Sequence, residues 1–125
     1  MLKERVKELL THVGEPYQMF FDDGMYMGCF KPVYFLYPNY PHYPLKFDSN
    51  KRNYVYGIKC IKNHCIEISK QELQQGDIIA TEYRGELHVG IFYEFGKLIE
   101  VYKDHTLQIG RLNKFKDYKC FRVIK

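Results

Sequence analysis

Three short segments rich in β-forming residues follow one another between residues 77 and 102 and constrain the fold more than any other feature. They are joined by Tyr-Arg-Gly-Glu and Glu-Phe-Gly-Lys, and each of these junctions contains a glycine suited to a tight hairpin turn. We therefore predict three consecutive antiparallel strands over Asp77–Glu82, Leu87–Glu94 and Lys97–Tyr102.

Other segments extend this pattern. The stretches TLQIGRL (106–112) and KCFRVI (119–124) predict two more strands. The residues YVYGIKCIKNHCIEI (54–68) are also typical of strands and predict one or two of them. SKQELQQGD (69–77) predicts a short helix or turn that ends at Gly76.

The N-terminal part of the chain has a helical pattern. Leucine and valine recur at helical spacing over 2–12, with Lys and Glu between them, and Gly14 is a suitable stop. From Cys29 the residues CFKPVYFLY are compatible with a second helix, because Pro32 is tolerated in a first turn. Residues 38–53 contain several prolines and predict an irregular surface loop.

Helix, turn, helix and then a mostly antiparallel sheet is an α+β order. A length of 125 residues suits one core, so we predict a single domain over residues 1–125. The formal net charge of +4 comes with lysines spread along the chain, which favours a solvated face over a nucleic-acid site.

The apolar runs are too short to predict a membrane span. The N-terminal MLKERVKELL is charged where a secretory signal has an apolar core. We therefore expect a protein made in the cytoplasm, without membrane insertion and with its four cysteines reduced.

The chemistry suggested by the sequence centres on Cys29, His88 and Glu100. A cysteine at a helix start gains from the free N–H groups and the helix dipole, which favour the nucleophilic thiolate and lower its pKa. A thiolate needs an imidazole to move protons, and the imidazole needs a polar partner to orient it. His88 and Glu100 lie on the two strands of one predicted hairpin and can face the same side, unless a bulge shifts the register.

Other polar residues offer alternatives. Asp104 and His105 are second choices as partner of the base. Cys60, His64 and Cys65 resemble soft metal ligands, but a zinc site needs a fourth ligand that the pattern lacks, so we predict no metal and no cofactor. We expect His42 to face solvent in the proline-rich loop, and His12 to cap the first helix end.

Four segments together resemble the NlpC-type cell-wall peptidases, a papain-like family of cysteine peptidases. They are VGEPY (13–17), GCFKPVYFLY (28–37), LQQGDII (73–79) and HVGIFYEFGKLIE (88–100). The order Cys, His, polar residue also matches, and the similarity runs over nearly the whole chain. The family more often has His, Asn or Gln at the position of Glu100, and it has Asp where this chain has Gly28 and Ser-Gly where it has Phe30-Lys31.

The resemblance implies a papain-like fold and cleavage of peptide stems in bacterial peptidoglycan. It implies Cys29 as nucleophile, His88 as general base and Glu100 as the orienting residue. It also implies Tyr17, Tyr26 and Gly28 as residues that line the substrate cleft.

The biology implied by the resemblance is a small enzyme carried by a bacteriophage tail, because the expected lack of a secretory signal leaves the virion as a route to the wall. The tyrosine- and proline-rich YPNYPHYP (37–44) would suit docking to a neighbouring tail protein. The alternative is a tail or assembly component that keeps the fold without catalysis.

Overall fold

The computed structural model describes residues 2–15, 28–41, 50–83, 85–102 and 106–124. Helix α1 spans Leu2–Leu10 and α2 spans Lys31–Leu36, directly after a 3₁₀ turn at Gly28–Phe30. Helix α3 spans Asn50–His64. Among the described ranges, every helix is too short or too polar to traverse a bilayer.

The six strands of these ranges form one sheet in the order β1-β6-β2-β3-β4-β5, with every pairing antiparallel. The strands are β1 (Cys65–Ile68), β2 (Ile78–Tyr83), β3 (Glu86–Glu94), β4 (Lys97–Val101), β5 (Leu107–Arg111) and β6 (Lys119–Val123). The predicted hairpins, the two C-terminal strands and the α+β class are therefore confirmed, with strand ends shifted by a residue or two.

The two faces of the sheet carry different cores, because successive side chains of a strand point to opposite faces. Ile78, Val89 and Ile99 belong to the large core shared with α1, α2 and α3. Ile79 and Leu98 belong to a smaller core on the other face, which Phe115 and neighbours of the C-terminal segment cover. Even-numbered residues of β3 and β4 therefore face the smaller core.

The prediction of strands within residues 54–68 is wrong for most of that stretch. Helix α3 occupies it as far as His64, and a strand begins only at Cys65. Ile58 and Ile61 are buried at helical spacing, whereas Val55 is exposed. Packing of this stripe on the sheet overrides the preference of Tyr, Val and Ile for strands.

The same helix corrects the predicted surface loop over 38–53. The last four of those residues belong to the first turn of α3, which begins at Asn50. Residues 38–41 are irregular as predicted, and 42–49 lie outside the described residues. The predicted turn over 69–77 contains a 3₁₀ turn at Lys70–Glu72 with a Ser69–Glu72 capping box.

Candidate active site

Cys29 lies where the chain enters α2, as the sequence predicts. Pro32 occupies the first turn of α2, where a missing N–H costs nothing. The adjacent Phe30 and Val33 are buried in the large core and fix this turn against the sheet. Cys29 itself is half-buried, and its Sγ–H donates a long hydrogen bond of 3.8 Å to the carbonyl oxygen of Leu87.

The environment of this thiol differs from the prediction. Burial raises the pKa of Cys29 to about 12, an effect that nearby Glu86 adds to and that the backbone N–H of Val89 partly offsets. The predicted lowering of the thiol pKa is therefore wrong for this state of the protein. The sulfur rests as a neutral thiol, because burial of a charge outweighs the dipoles of a short turn.

His88 and Glu100 form the predicted pair. His88 Nε2 and Glu100 Oε1 are 2.8 Å apart, and both side chains are buried. A bulge in β3 against β4 at Phe92/Glu94 lies between the turn and the pair and shifts the register by one residue, which puts His88 and Glu100 on the same face. Both residues face the smaller core, so the imidazole and the carboxylate meet on one face of the sheet.

The glycine at position 90 of β3 lies close to β4 beside this contact. A Cβ at position 90 would lie 2.7 Å from Leu98 Cδ1, 3.0 Å from the carbonyl oxygen of Ile99 and 3.4 Å from Glu100 Cβ. The Leu98 methyl group can turn away, but the carbonyl oxygen belongs to the β4 backbone, so a side chain here would require β4 to shift by a few tenths of an ångström. Gly90 therefore has a steric role in the His-Val-Gly segment.

Aromatic rings hold the imidazole. The ring of Tyr102 stacks on His88 with centroids 4.1 Å apart and an interplanar angle of 6°. Tyr83 and Phe115 approach the imidazole from other directions, with centroid distances of 6.2 and 5.8 Å. The sequence analysis missed all three residues, because an aromatic residue near a strand is more often only part of a core.

Glu100 has a second partner that the sequence did not reveal. Lys114, in the 3₁₀ turn Leu112–Lys114, donates from Nζ to Glu100 Oε2. Burial raises the pKa of Glu100, but hydrogen bonds from His88 and Lys114 outweigh it and leave the pKa below its ordinary value. Glu100 is thus a carboxylate that accepts from an imidazole on one oxygen and from an ammonium on the other.

Cys29 touches β3 at the backbone of the two residues that flank His88, not at the imidazole. Sγ lies against the backbone of Leu87 and Val89, the residues on either side of His88. The side chains of Leu87 and Val89 belong to the large core, whereas His88 faces the smaller one. Cys29 packs against the large core as well, so the thiol and the imidazole lie on opposite sides of β3 and are not brought together in this structure.

Of the remaining predicted residues, the structure describes Gly28 and His12. Gly28 opens the 3₁₀ turn that carries Cys29. Tyr17, Tyr26, His42, Asp104 and His105 lie outside the described residues. His12 follows α1 and its Nδ1 lies 2.6 Å from Glu15 Oε2 in an exposed hydrogen bond.

The three possible soft metal ligands are distributed over two elements. Cys60 and His64 belong to α3, whereas Cys65 begins β1, and both cysteines are buried. In the part of the chain that the structure describes, no three His, Cys, Asp or Glu side chains group closely enough to hold a metal ion.

No protein-family model and no curated protein sequence matches the chain. Among solved structures, the fold is similar to a Staphylococcus aureus subsp. aureus Mu50 protein described as similar to lipoprotein, NLP/P60 family. The TM-score is 0.62 at 20% sequence identity, and the match covers 99% of this chain and 41% of that one. The chain has the fold of an NLP/P60 protein. It spans about two fifths of that protein's length.

Proposed function

We propose that this protein is a cysteine peptidase or amidase that hydrolyses peptide bonds in the stems of bacterial peptidoglycan. The observation that carries the proposal is the buried hydrogen bond between His88 and Glu100, on the strand against which Cys29 rests. The fold of an NLP/P60 protein and the resemblance of four sequence segments to cell-wall peptidases support the substrate class.

In the proposed reaction His88 is the base. Its Nε2–H donates to Glu100, which leaves Nδ1 to accept the thiol proton of Cys29 after a rearrangement that brings Sγ and the imidazole to the same side of β3. The sulfur attacks the carbonyl carbon of the peptide, and the imidazolium returns the proton to the leaving amine. Water then hydrolyses the thioester, again with His88 as base, and releases the acid.

Glu100 and Tyr102 support His88 in this reaction. Glu100 stabilises the imidazolium that forms during each proton transfer and fixes the ring through Nε2. The stacked Tyr102 restrains rotation of the same ring.

The test is hydrolysis of purified peptidoglycan fragments, followed by mass spectrometry of the products. We expect Cys29→Ala and His88→Ala each to lower the rate by about 1,000-fold or more. Cys60→Ala and His12→Ala are matched controls and should stay close to wild type. Cleavage that survives in Cys29→Ala, or no cleavage of any stem peptide by the wild type, would contradict the proposal.

A second candidate is a structural or assembly component, for which a phage tail is the setting we propose. The raised pKa of Cys29 favours it, because a resting neutral thiol is a weak nucleophile. The result that would distinguish this role from that of a peptidase is association of the full chain with purified virions without any Cys29-dependent hydrolysis. Virion association together with Cys29-dependent hydrolysis would instead support a tail-borne enzyme.

A further inference from the structure

The side chain of Lys114 closes a ring of contacts around His88. Its Nζ donates to Glu100 Oε2 and lies 4.7 Å from the centre of the Tyr102 ring. Tyr102 in turn stacks on the imidazole, and Glu100 Oε1 lies 2.8 Å from the imidazole Nε2. One cation therefore contacts both groups that hold His88.

Charge balance gives this arrangement a consequence. Glu100 is fully buried, and a buried carboxylate needs a counter-charge. Either an imidazolium at His88 or an ammonium at Lys114 can supply it. Because Lys114 is in place, the cluster is neutral overall when His88 carries no charge.

We infer that Lys114 is a positioning residue: its ammonium neutralises Glu100, so that His88 is held as a neutral imidazole with its hydrogen on Nε2. The inference rests on the proposed function, in which Nδ1 takes the thiol proton.

Other titratable groups near the ring are few among the described residues. They are Tyr83 on β2, Tyr102 after β4 and the exposed Glu86, two residues before His88 on β3. Tyrosine and cysteine side chains are ordinarily neutral at pH 7. Glu100 and Lys114 are therefore the charged pair that acts on the imidazole at shortest range.

The test is an NMR titration of the His88 ring nitrogens in the full-length chain. The variants are Lys114→Met, Lys114→Arg and, as a control, Lys116→Met, which removes an exposed lysine from the same segment. In wild type at pH 7.5 we expect the neutral Nε2–H form. In Lys114→Met we expect His88 to hold its proton to a pH higher by about one unit, a tenfold change, since it must then balance Glu100 alone.

Lys114→Arg keeps the charge and should titrate like wild type, as should Lys116→Met. Should Lys114→Met fail to fold, Lys114→Gln keeps a donor without the charge and is expected to show the same upward shift. An unchanged midpoint in the neutral variants, or an Nδ1–H or imidazolium form in wild type at pH 7.5, would overturn the inference.

The titration needs no substrate, so it is independent of the proposed function. If no stem peptide is cleaved, the peptidase proposal fails while the NMR result still decides the role of Lys114. If cleavage occurs, the acidic limb of the rate profile should move to higher pH in Lys114→Met, as in the titration. Lys114→Arg should restore the wild-type profile.

Discussion

Gly110 lies so close to Glu100 that any side chain at position 110 would overlap the carboxylate. A Cβ there would overlap Glu100 Oε2 and would lie 2.8 Å from Lys114 Nζ. Gly110 belongs to β5, the edge strand that pairs with β4 through Glu100↔Gln108 and Leu98↔Gly110. The missing side chain thus leaves the space in which the carboxylate and the ammonium meet.

We expect Gly110→Ala to displace the Glu100 carboxylate and break its contacts with His88 and Lys114. The expected cost is roughly 2 kcal/mol of the free energy of unfolding, because buried charged groups lose their partners. Urea denaturation measures it. Ile109→Ala, at the neighbouring exposed position of the same strand, is the control. Equal stability of Gly110→Ala and wild type would show that the cluster adapts without loss.

The pH dependence of stability provides a second prediction, through Glu100. Although burial raises its pKa, hydrogen bonds from His88 and Lys114 hold it below the ordinary value of 4.5. A carboxyl group with a lowered folded pKa stabilises the protein fully above the unfolded pKa, and this contribution is lost as the pH falls through the folded pKa. The stability advantage of wild type over Glu100→Gln should therefore shrink below pH 4.5.

Urea denaturation of both proteins between pH 7 and pH 3 measures this advantage. The difference between the two proteins is the informative quantity, since the exposed Glu72 and Asp117 also have lowered pKa values. A difference that stays constant over the whole range would show that Glu100 titrates alike in the folded and unfolded chains.

Thiol reactivity gives a third prediction. Burial raises the pKa of Cys29 to about 12, and those of Cys65 and Cys120 to about 11. We expect iodoacetamide to modify all three more slowly than a free cysteine at pH 7.5, with rates that still rise above pH 9. Site-resolved mass spectrometry measures each rate. Fast modification of Cys29 alone, lost in His88→Ala, would instead show a thiolate–imidazolium pair in the resting protein.

The sequence predicted that His88 and Glu100 share one hairpin, but not the register that joins them. The turn at Phe95-Gly96 pairs Glu94 with Lys97, and without a bulge this register would put Glu100 opposite Ile91, on the other face from His88. The bulge at Phe92/Glu94 shifts the pairing by one residue and puts both side chains on one face. The environment of Cys29 could not be predicted in the same way. Its thiol pKa depends on how deeply the 3₁₀ turn packs against β3, which no local pattern records.

Lys114 and Gly110 were missed for a related reason. Lys114 reaches Glu100 from the turn after β5, so the contact depends on the pairing of β5 with β4 and on the empty position at Gly110. A lysine among other lysines carries no such signal in the sequence. The helix α3 was mistaken for strands because its tertiary packing, rather than its residue preferences, decides its conformation.

Asp77 is the aspartate of the Leu-x-x-Gly-Asp segment, and its buried carboxylate accepts hydrogen bonds from two parts of the chain. Arg122 on β6 donates to it from Nε at 3.0 Å and from Nη2 at 2.8 Å, and the backbone N–H of Gln74 donates at 2.8 Å. Gly76 has a φ of +98°, a conformation that favours glycine, so the turn can fold back onto the carboxylate. These contacts tie the turn before β2 to β6.

We therefore expect Asp77→Asn to lower the free energy of unfolding by about 2–3 kcal/mol, because Arg122 loses its counter-charge while the amide cannot accept all three bonds. Asp117→Asn is the matched control, since Asp117 pairs with Lys70 on an exposed surface and should leave the stability close to that of wild type. Thermal and urea denaturation measure both. Equal losses in the two variants would mean that the Asp77–Arg122 pair contributes no more than a surface ion pair, and the Gly-Asp segment would then need another explanation.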